Sequence, residues 1–424
     1  METENKPQVA IIGGGVAGIG AAYLLQRKYR VTLIEKNDYL GGHTHTVPLP
    51  SGADAGTPLD TGFIVMNEKN YPELSWFFSE LGVKTQASDM SLSVQVPSRR
   101  VLYSSDFPHG LFAQFRNLWT PAFYQMLGEI LRFYSKASQD LDAGSDLSGM
   151  TLRDYLAYGK FSKVFIEDHL TPMAGAIWSM PLGKVLDFPA MTFLQFYQNH
   201  GLLNLREKPQ WRTVAGGSHV YVQAFKKVFQ GEVLLNTSVN AVRREKEKVQ
   251  VLTAQKKLVF DHAVLACHAD EALALLQDPS EEEKRLLGAW HYSSNPTVLH
   301  TDRRMMPAKR RAWASWNVFR RDDAAIGLPV AVTYFMNRLQ KLKVSTDYFV
   351  TLNREDEIDA SRIVGHYLYH HPTYTFDSLH SQRSLNALNG RGRTWYCGSY
   401  FGHGFHEDAV RSGFKVAELM GVRR

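Results

Sequence analysis

Gly13, Gly15 and Gly18 make a G-x-G-x-x-G turn, and Glu35 stands twenty-two residues after the first of them. Residues of these types at this spacing hold a nucleotide; they do not break a bond. Gly13 permits a sharp turn, Gly15 lets the backbone approach a pyrophosphate, and Gly18 lets a helix lie close to a sheet. Val16 and Ala17 stand between the last two glycines, where a helix N-terminus offers unpaired N–H groups and a positive dipole end to phosphates. Glu35, with Lys36 beside it, can accept hydrogen bonds from both ribose hydroxyls, and its charge disfavours an added 2′-phosphate. The elements that must position these residues are also legible. Val9–Ile12 is an apolar run of the kind found in buried parallel strands. Ile19 to Gln26 has alanines and leucines at helical spacing, and Val31–Ile34 is a β-branched run ending on Glu35. Glycines alone would also suit a purely structural turn, but this strand–helix–strand context with its acid favours a dinucleotide.

Composition bounds the rest. The 424 residues suffice for two domains, and 44% hydrophobic with 21% charged residues is ordinary for a globular chain. No apolar run approaches the roughly 20 residues that span a bilayer. The polar start, Met1 to Pro7, argues against a secretory signal, and two scattered cysteines, Cys267 and Cys397, suit a reducing compartment. The expected location is the cytoplasm. The net charge of +6 is concentrated: Arg303, Arg304, Lys309, Arg310, Arg311, Arg320 and Arg321 lie in one acid-free stretch with Met305, Met306, Trp313, Trp316 and Phe319. Residues 303–321 therefore read either as a peripheral contact with an anionic membrane or an acidic substrate, or as a solvated loop and strand whose aromatics join the core. No nucleic-acid motif accompanies the cluster, so a nucleic-acid partner is not expected.

Further along, Gly41-Gly42-His43-Thr44 follows Glu35, and Asp60-Thr61-Gly62-Phe63-Ile64 follows that. Trp211 to Ser218 contains a second Gly-Gly turn, leading into a helical stretch with Val222, Phe225 and Phe229 on one face. Val233–Leu235, Thr237–Val239, Lys248–Leu252 and Phe260–Ala266 read as strands. The C-terminal run from Trp395 to Gly413 combines an aromatic strand, Gly398, a loop and a helix rich in small residues. With these four motifs in order, the chain resembles the flavin amine oxidase superfamily, which includes protoporphyrinogen oxidase and the carotenoid desaturases. Within it, the resemblance is to bacterial FAD-dependent oxidoreductases that occur with cyclopropane-fatty-acid-type methyltransferases. The resemblance implies an FAD site in which Gly41, Gly42, His43 and Thr44 line the pyrophosphate and flavin. Gly62, Phe63 and Ile64 would start a strand beside the flavin ring, and the backbone of Val239 would hold the adenine. Gly398 would lie near the pyrophosphate, and the backbone around His406 and Glu407 would face the flavin C2 carbonyl. His43 replaces the Arg of most relatives and supplies a cation only when protonated. Ser399 replaces an acid, so that acid's ribityl contact is not carried over. Cys397 falls near the pyrophosphate strand and not the flavin methyl, which implies non-covalent FAD.

The implied fold class is α/β: a Rossmann-like FAD-binding domain of the glutathione reductase and amine oxidase type, with an interleaved α+β substrate domain. Residues 1–65, 210–274 and 386–424 would form the first, and 66–209 with 275–385 the second. In the second, Pro72 to Gly82 reads as an amphipathic helix, Leu111–Tyr134 as one or two helices broken at Pro121, and Thr151 to Asp154 as a capping box. Val330–Phe335 and Tyr348–Leu352 read as strands. The aromatics here belong either to a core or to an apolar substrate cavity.

Flavin chemistry needs little from the protein beyond orientation, and no dedicated base stands out. Phe405 occupies a position where amine oxidases place one wall of an aromatic cage. His403 and His406 flank it, as proton donors or as pocket wall. His366, His370 and His371, or His43 with His45, carry metal-like spacing without an HExxH or cysteine cluster, so no metal is expected. Neither Ser218 nor Ser399 sits in a nucleophile elbow. The expected function is hydride transfer to flavin N5 from a hydrophobic, fatty-acyl or other lipid-like substrate, of desaturase or oxidase type. A double-bond isomerase, an amine oxidase and a non-catalytic FAD-binding partner of a lipid-modifying enzyme remain open.

Overall fold

In a computed structural model the described residues are 6–203, 209–321 and 330–424. Met1–Asn5, which carry most of the polar N-terminal reading, lie outside them. The short apolar runs form a five-stranded sheet in the order Thr394–Tyr396, His262–Leu265, Gln8–Ile12, Arg30–Ile34, Glu232–Leu234. Each neighbouring pair is parallel. Val9, Ala10, Ile11, Val31, Leu33, Val264 and Leu265 are buried, as befits strands covered on both faces. All five strands therefore end on one edge, and that is where open α/β sheets bind ligands. The Rossmann-like α/β fold expected from the motifs is present.

The first helix runs Val16–Leu25, starting three residues earlier than its alanine and leucine spacing indicates. The last helix, His406–Leu419, lies across it, and two glycines allow the close crossing. A Cβ on Gly413 would sit 2.2 Å from the Ala17 carbonyl oxygen, and one on Gly20 would meet Val410 and Phe414. Val239–Arg244, Val249–Thr253 and Lys257–Phe260 form a small antiparallel sheet, so the strand expected at Thr237–Val239 begins only where that expectation ended.

A second large sheet is mixed and seven-stranded, in the order Ile363–Thr373, His291–His300, Phe349–Leu352, Ala331–Phe335, Trp316–Phe319, Leu92–Val96, Val101–Ser104. Pro121–Asp142 reaches it through Phe123 and Met126, Leu152–Tyr158 and Ala190–Asn199 pack on each other, and Pro72–Glu80 packs instead on the last helix. Pro121 opens its helix and does not break one: Phe115–Trp119 is only a 3₁₀ segment, because proline suits the first helical position. Thr151 and Asp154 form the expected reciprocal cap at 3.0 and 3.1 Å. The aromatics of this region largely pack on one another, Phe133 touching Tyr155, Phe161, Phe165 and Tyr197. Among the described residues no helix is long and apolar enough to cross a membrane.

Candidate functional site

The glycine turn sits at the carboxyl edge of the parallel sheet. Gly13 adopts φ 111°, and a Cβ there would lie 2.5 Å from the Ala266 oxygen; a Cβ on Gly18 would lie 2.0 Å from the Gly13 oxygen. Both are glycine for reasons internal to the protein. Gly15 is different. Its φ and ψ of −72° and 178° suit any residue, and a Cβ there would meet nothing within 4 Å. Nothing within the polypeptide requires glycine there, and a pyrophosphate fits the opening. The Gly41–Gly42 turn is laid against this one: Gly41 N–H donates to the Gly14 oxygen at 2.8 Å, and a Gly42 Cβ would sit 3.2 Å from Gly15 Cα.

Glu35 is buried at the end of its strand, as the spacing requires. Its carboxylate accepts from Gly14 N–H at 2.7 Å and Asn37 N–H at 2.9 Å, which aims it at the turn while leaving lone pairs for further donors. Thr237 N–H donates to the Glu35 carbonyl at 2.9 Å, so half-buried Val239 starts its strand beside the acid. Lys36 points into solvent and pairs with Glu271 at 2.9 Å. Gly62 tucks under His43, whose carbonyl accepts from Phe63 N–H at 2.8 Å, and the Ile64 carbonyl accepts from Thr213.

His43 lies beside Tyr369 and His371, with ring centroids 5.1 and 5.5 Å away. Burial first, then the neighbouring His371, His268 and His406, holds its pKa well below the usual imidazole range. It is therefore neutral and supplies no cation at this turn. Its Nε2 is buried without a partner among the described residues. That orphaned atom, like the space beyond Gly15, fits a bound cofactor. Thr44 joins Tyr221 at 2.7 Å to His406 at 3.0 Å, and His406 stacks on Phe63 with centroids 3.9 Å apart. Burial pushes His406 down to about 3, so it offers a neutral ring and not an imidazolium. Tyr221 escaped the sequence reading because it shares the apolar face of its helix with Val222 and Phe225 and looks like core.

Gly398 is in extended backbone; a Cβ there would strike the Tyr400 ring at 2.5 Å. Its N–H donates to Ser412 Oγ at 2.9 Å, tying the strand end to the last helix. Glu407, whose backbone is the part the resemblance turns to the flavin, sends its side chain the other way: it caps the helix Pro72–Glu80, accepting from Glu73 and Leu74 N–H at 3.1 and 3.0 Å. Burial raises this carboxyl from 4.5 to about 7, against the pull of those two N–H groups and Arg411. The folded state thus binds this proton more tightly than the unfolded chain, and the stability it gives below pH 4.5 is lost as pH rises towards 7. Wild type should accordingly lose its margin over Glu407→Gln across that window in thermal melts at fixed ionic strength. A margin independent of pH would contradict this.

Asp60 also differs in role from a flavin-side acid. It is fully buried, accepting from Thr46 Oγ at 2.5 Å, Ser218 N–H at 2.9 Å, Ser218 Oγ at 2.8 Å and Gln340 Nε2 at 3.0 Å. Burial still lifts it to about 6. Asp60 clips the Gly216–Gly217 turn to the hairpin of Thr46–Pro48 and Pro58–Asp60.

The proposed wall residues do meet. Phe405 stacks on Phe196 at 5.1 Å, Phe196 on His200 at 3.9 Å, and His403 stands edge-on to Phe196 at 5.8 Å. Phe196 and His200, from the helix Ala190–Asn199 and its cap, were not singled out in the sequence. Burial holds His200 near 4 and lowers His403, whose fall Asp408 opposes. Asp408 itself is committed to the N–H groups of His403 and Phe405, at 2.9 and 3.1 Å, and to Arg411. His366, His370 and His371 fall within one long strand, where His370 contacts Ser294 and His371 contacts Asn295.

Residues 16–339 match the family model described as flavin containing amine oxidoreductase. The chain belongs to that family. The flavin amine oxidoreductase family sets the cofactor class, a flavin, and the reaction class, oxidation and reduction. Among curated proteins the chain is similar to an L-amino-acid oxidase of Siganus canaliculatus, 25% identical over 319 residues, which are 71% of this chain and 57% of the relative. The chain thus spans little more than half the length of that protein. Among solved structures it superposes on a CLA-producing fatty acid isomerase from P. acnes with a TM-score of 0.69, at 14% identity over 100% of both chains. It superposes equally on the cyclohexylamine oxidase of Brevibacterium oxydans IH-35A, TM-score 0.69, at 15% identity over 98% of both. At these identities the likeness describes the flavin amine oxidoreductase fold.

Proposed function

We propose that this chain is a cytoplasmic FAD-dependent oxidoreductase that takes two electrons from an apolar, lipid-like substrate. The observation that carries the reading is the ring wall of Phe405, Phe196 and His200, in which Asp408 is turned onto backbone N–H groups, so that among the described residues this wall offers no free carboxylate to draw a protonated amine. FAD, when bound, supplies the two-electron acceptor. Glu35 would hold the ribose, and the Gly15 and Gly41–Gly42 turns would hold the pyrophosphate. The wall excludes water and orients a C–H bond; burial disfavours the imidazolium of both His403 and His406. Two further observations support parts of the reading. Cys267 and Cys397 are free, as a reducing compartment requires, and burial raises both thiols, Cys397 to about 12, which disfavours the thiolate needed for covalent attachment.

A double-bond isomerase is the second reading, favoured by the whole-length likeness to the fatty acid isomerase. Anaerobic titration of the holoprotein with an unsaturated fatty acid and with a primary amine separates the cases. Flavin bleaching with stoichiometric desaturated product is expected. Product without net bleaching would establish the isomerase, and peroxide released in air from the amine alone would establish an amine oxidase. A flavin that responds to neither class would sink the enzymatic reading.

A further inference from the structure

The acid-free stretch 303–321 is not a bare cationic surface. Acids from elsewhere meet it: Asp347 pairs with Arg303 and Arg310, Asp302 with Arg304, and Asp356 and Glu357 with Arg321. Met305 and Met306 are buried and cannot enter a membrane. What the pairing leaves is more specific. A cavity of about 340 Å³ opens on this stretch, and Arg303, Arg304, Arg310 and Arg354 line it with Trp313 and Phe319. Among the described residues no carboxylate lines it, although Asp347, Asp302 and Glu357 pair with its guanidiniums. Arg354 lies over Phe319 at 3.7 Å with its side chain nine-tenths buried; one end of its guanidinium holds Glu357 at 2.5 Å, while its Nε has no partner among the described residues. A buried guanidinium N–H without an acceptor is costly, and an anionic oxygen is the acceptor its planar fork suits best.

Beside this cavity three large rings stand in water: Phe107 is 80% exposed, Phe115 70% and Trp119 83%. Single exposed apolar residues are ordinary, but three within thirteen residues are not. Phe107 and Phe115 are tied to the cavity rim, and Trp119 ends the 3₁₀ segment that Phe115 opens. Arg311, next to Arg310, donates to the Ala113 carbonyl at 2.7 Å and lies over Phe115 at 4.8 Å. Arg338 bonds both the Trp313 carbonyl, at 3.0 Å, and Asp106, the neighbour of Phe107, at 2.8 Å.

We infer that this face docks on an anionic phospholipid surface, with a headgroup phosphate in the arginine cavity and Phe107, Phe115 and Trp119 in the acyl boundary. A free phosphate would account for the cavity but not for the rings; a phospholipid accounts for both. The inference is independent of the reaction, because vesicle binding is read without turnover.

Flotation of the full-length holoprotein tests it, using phosphatidylcholine vesicles and vesicles with roughly one-third phosphatidylglycerol. Binding is expected only to the anionic vesicles and should weaken as salt is added. The double variant Phe115→Ser/Trp119→Ser, and separately Arg310→Glu at a side chain 68% exposed, should each lower partition by about tenfold or more with flavin content unchanged. Absence of flotation, or flotation that neither variant reduces, overturns the inference. Inorganic phosphate or glycerol phosphate binding without vesicle binding would assign the cavity to a free anion instead. A concentration-dependent dimer abolished by the double variant would assign the rings to a second copy of the chain.

Discussion

Gly15→Asp is expected to give a folded protein that no longer retains FAD. Gly15 takes extended backbone at the N-cap of the first helix, where aspartate is among the best residues, and its Cβ would meet no protein atom within 4 Å. The apo protein should melt within about 1 kcal/mol of wild type, or slightly higher. The new side chain and its charge would instead fill the space that a pyrophosphate needs, lowering FAD affinity by about 100-fold or more. Gly18→Ala is the contrasting case. Its Cβ would lie 2.0 Å from the Gly13 oxygen, so the turn itself must move and stability should fall by about 1–3 kcal/mol. Flavin-to-protein ratio after gel filtration, read with the thermal midpoint, separates the two. Full flavin occupancy in Gly15→Asp would remove the pyrophosphate from this turn.

Asp60→Ala should be the most destabilising substitution near the site that touches no cofactor. It would leave the Ser218 N–H without an acceptor in a fully buried position, and the Ser218 and Thr46 hydroxyls and the Gln340 amide with only the longer contacts at 3.3 Å to one another and 3.4 Å to the Pro58 carbonyl. Each orphaned buried donor keeps its desolvation cost, so a loss of about 3 kcal/mol or more is expected. Chemical denaturation of the apo protein measures it without interference from flavin binding. A loss below about 1 kcal/mol would mean that the hairpin and the Gly216–Gly217 turn are held together by other contacts.

The difference between these two residues shows where sequence reasoning reached its limit. The glycine turn and Glu35 were legible because their constraints are local: a strand, a turn, a helix and an acid within one βαβ unit. Asp60 was visible as an acid beside a glycine, but its partners Ser218 and Gln340 are 158 and 280 residues away, and nothing local indicates which way its carboxylate faces. Glu407 fared the same, its side chain serving a helix that begins more than 300 residues earlier. The basic stretch looked unbalanced because its counter-charges, Asp347 and Glu357 among them, arrive from other strands and turns. Buried Phe133 and exposed Trp119 are likewise indistinguishable by composition or spacing; only the packing of the helices separates core from surface.

The parallel sheet takes its strands from residue 8 through residue 396, and the last helix rests on the first. The opening strand, turn and helix can therefore reach their full set of neighbours only once the strand Thr394–Tyr396 and the last helix have been made, and long-range assembly of this kind is slow and exposed to misassociation.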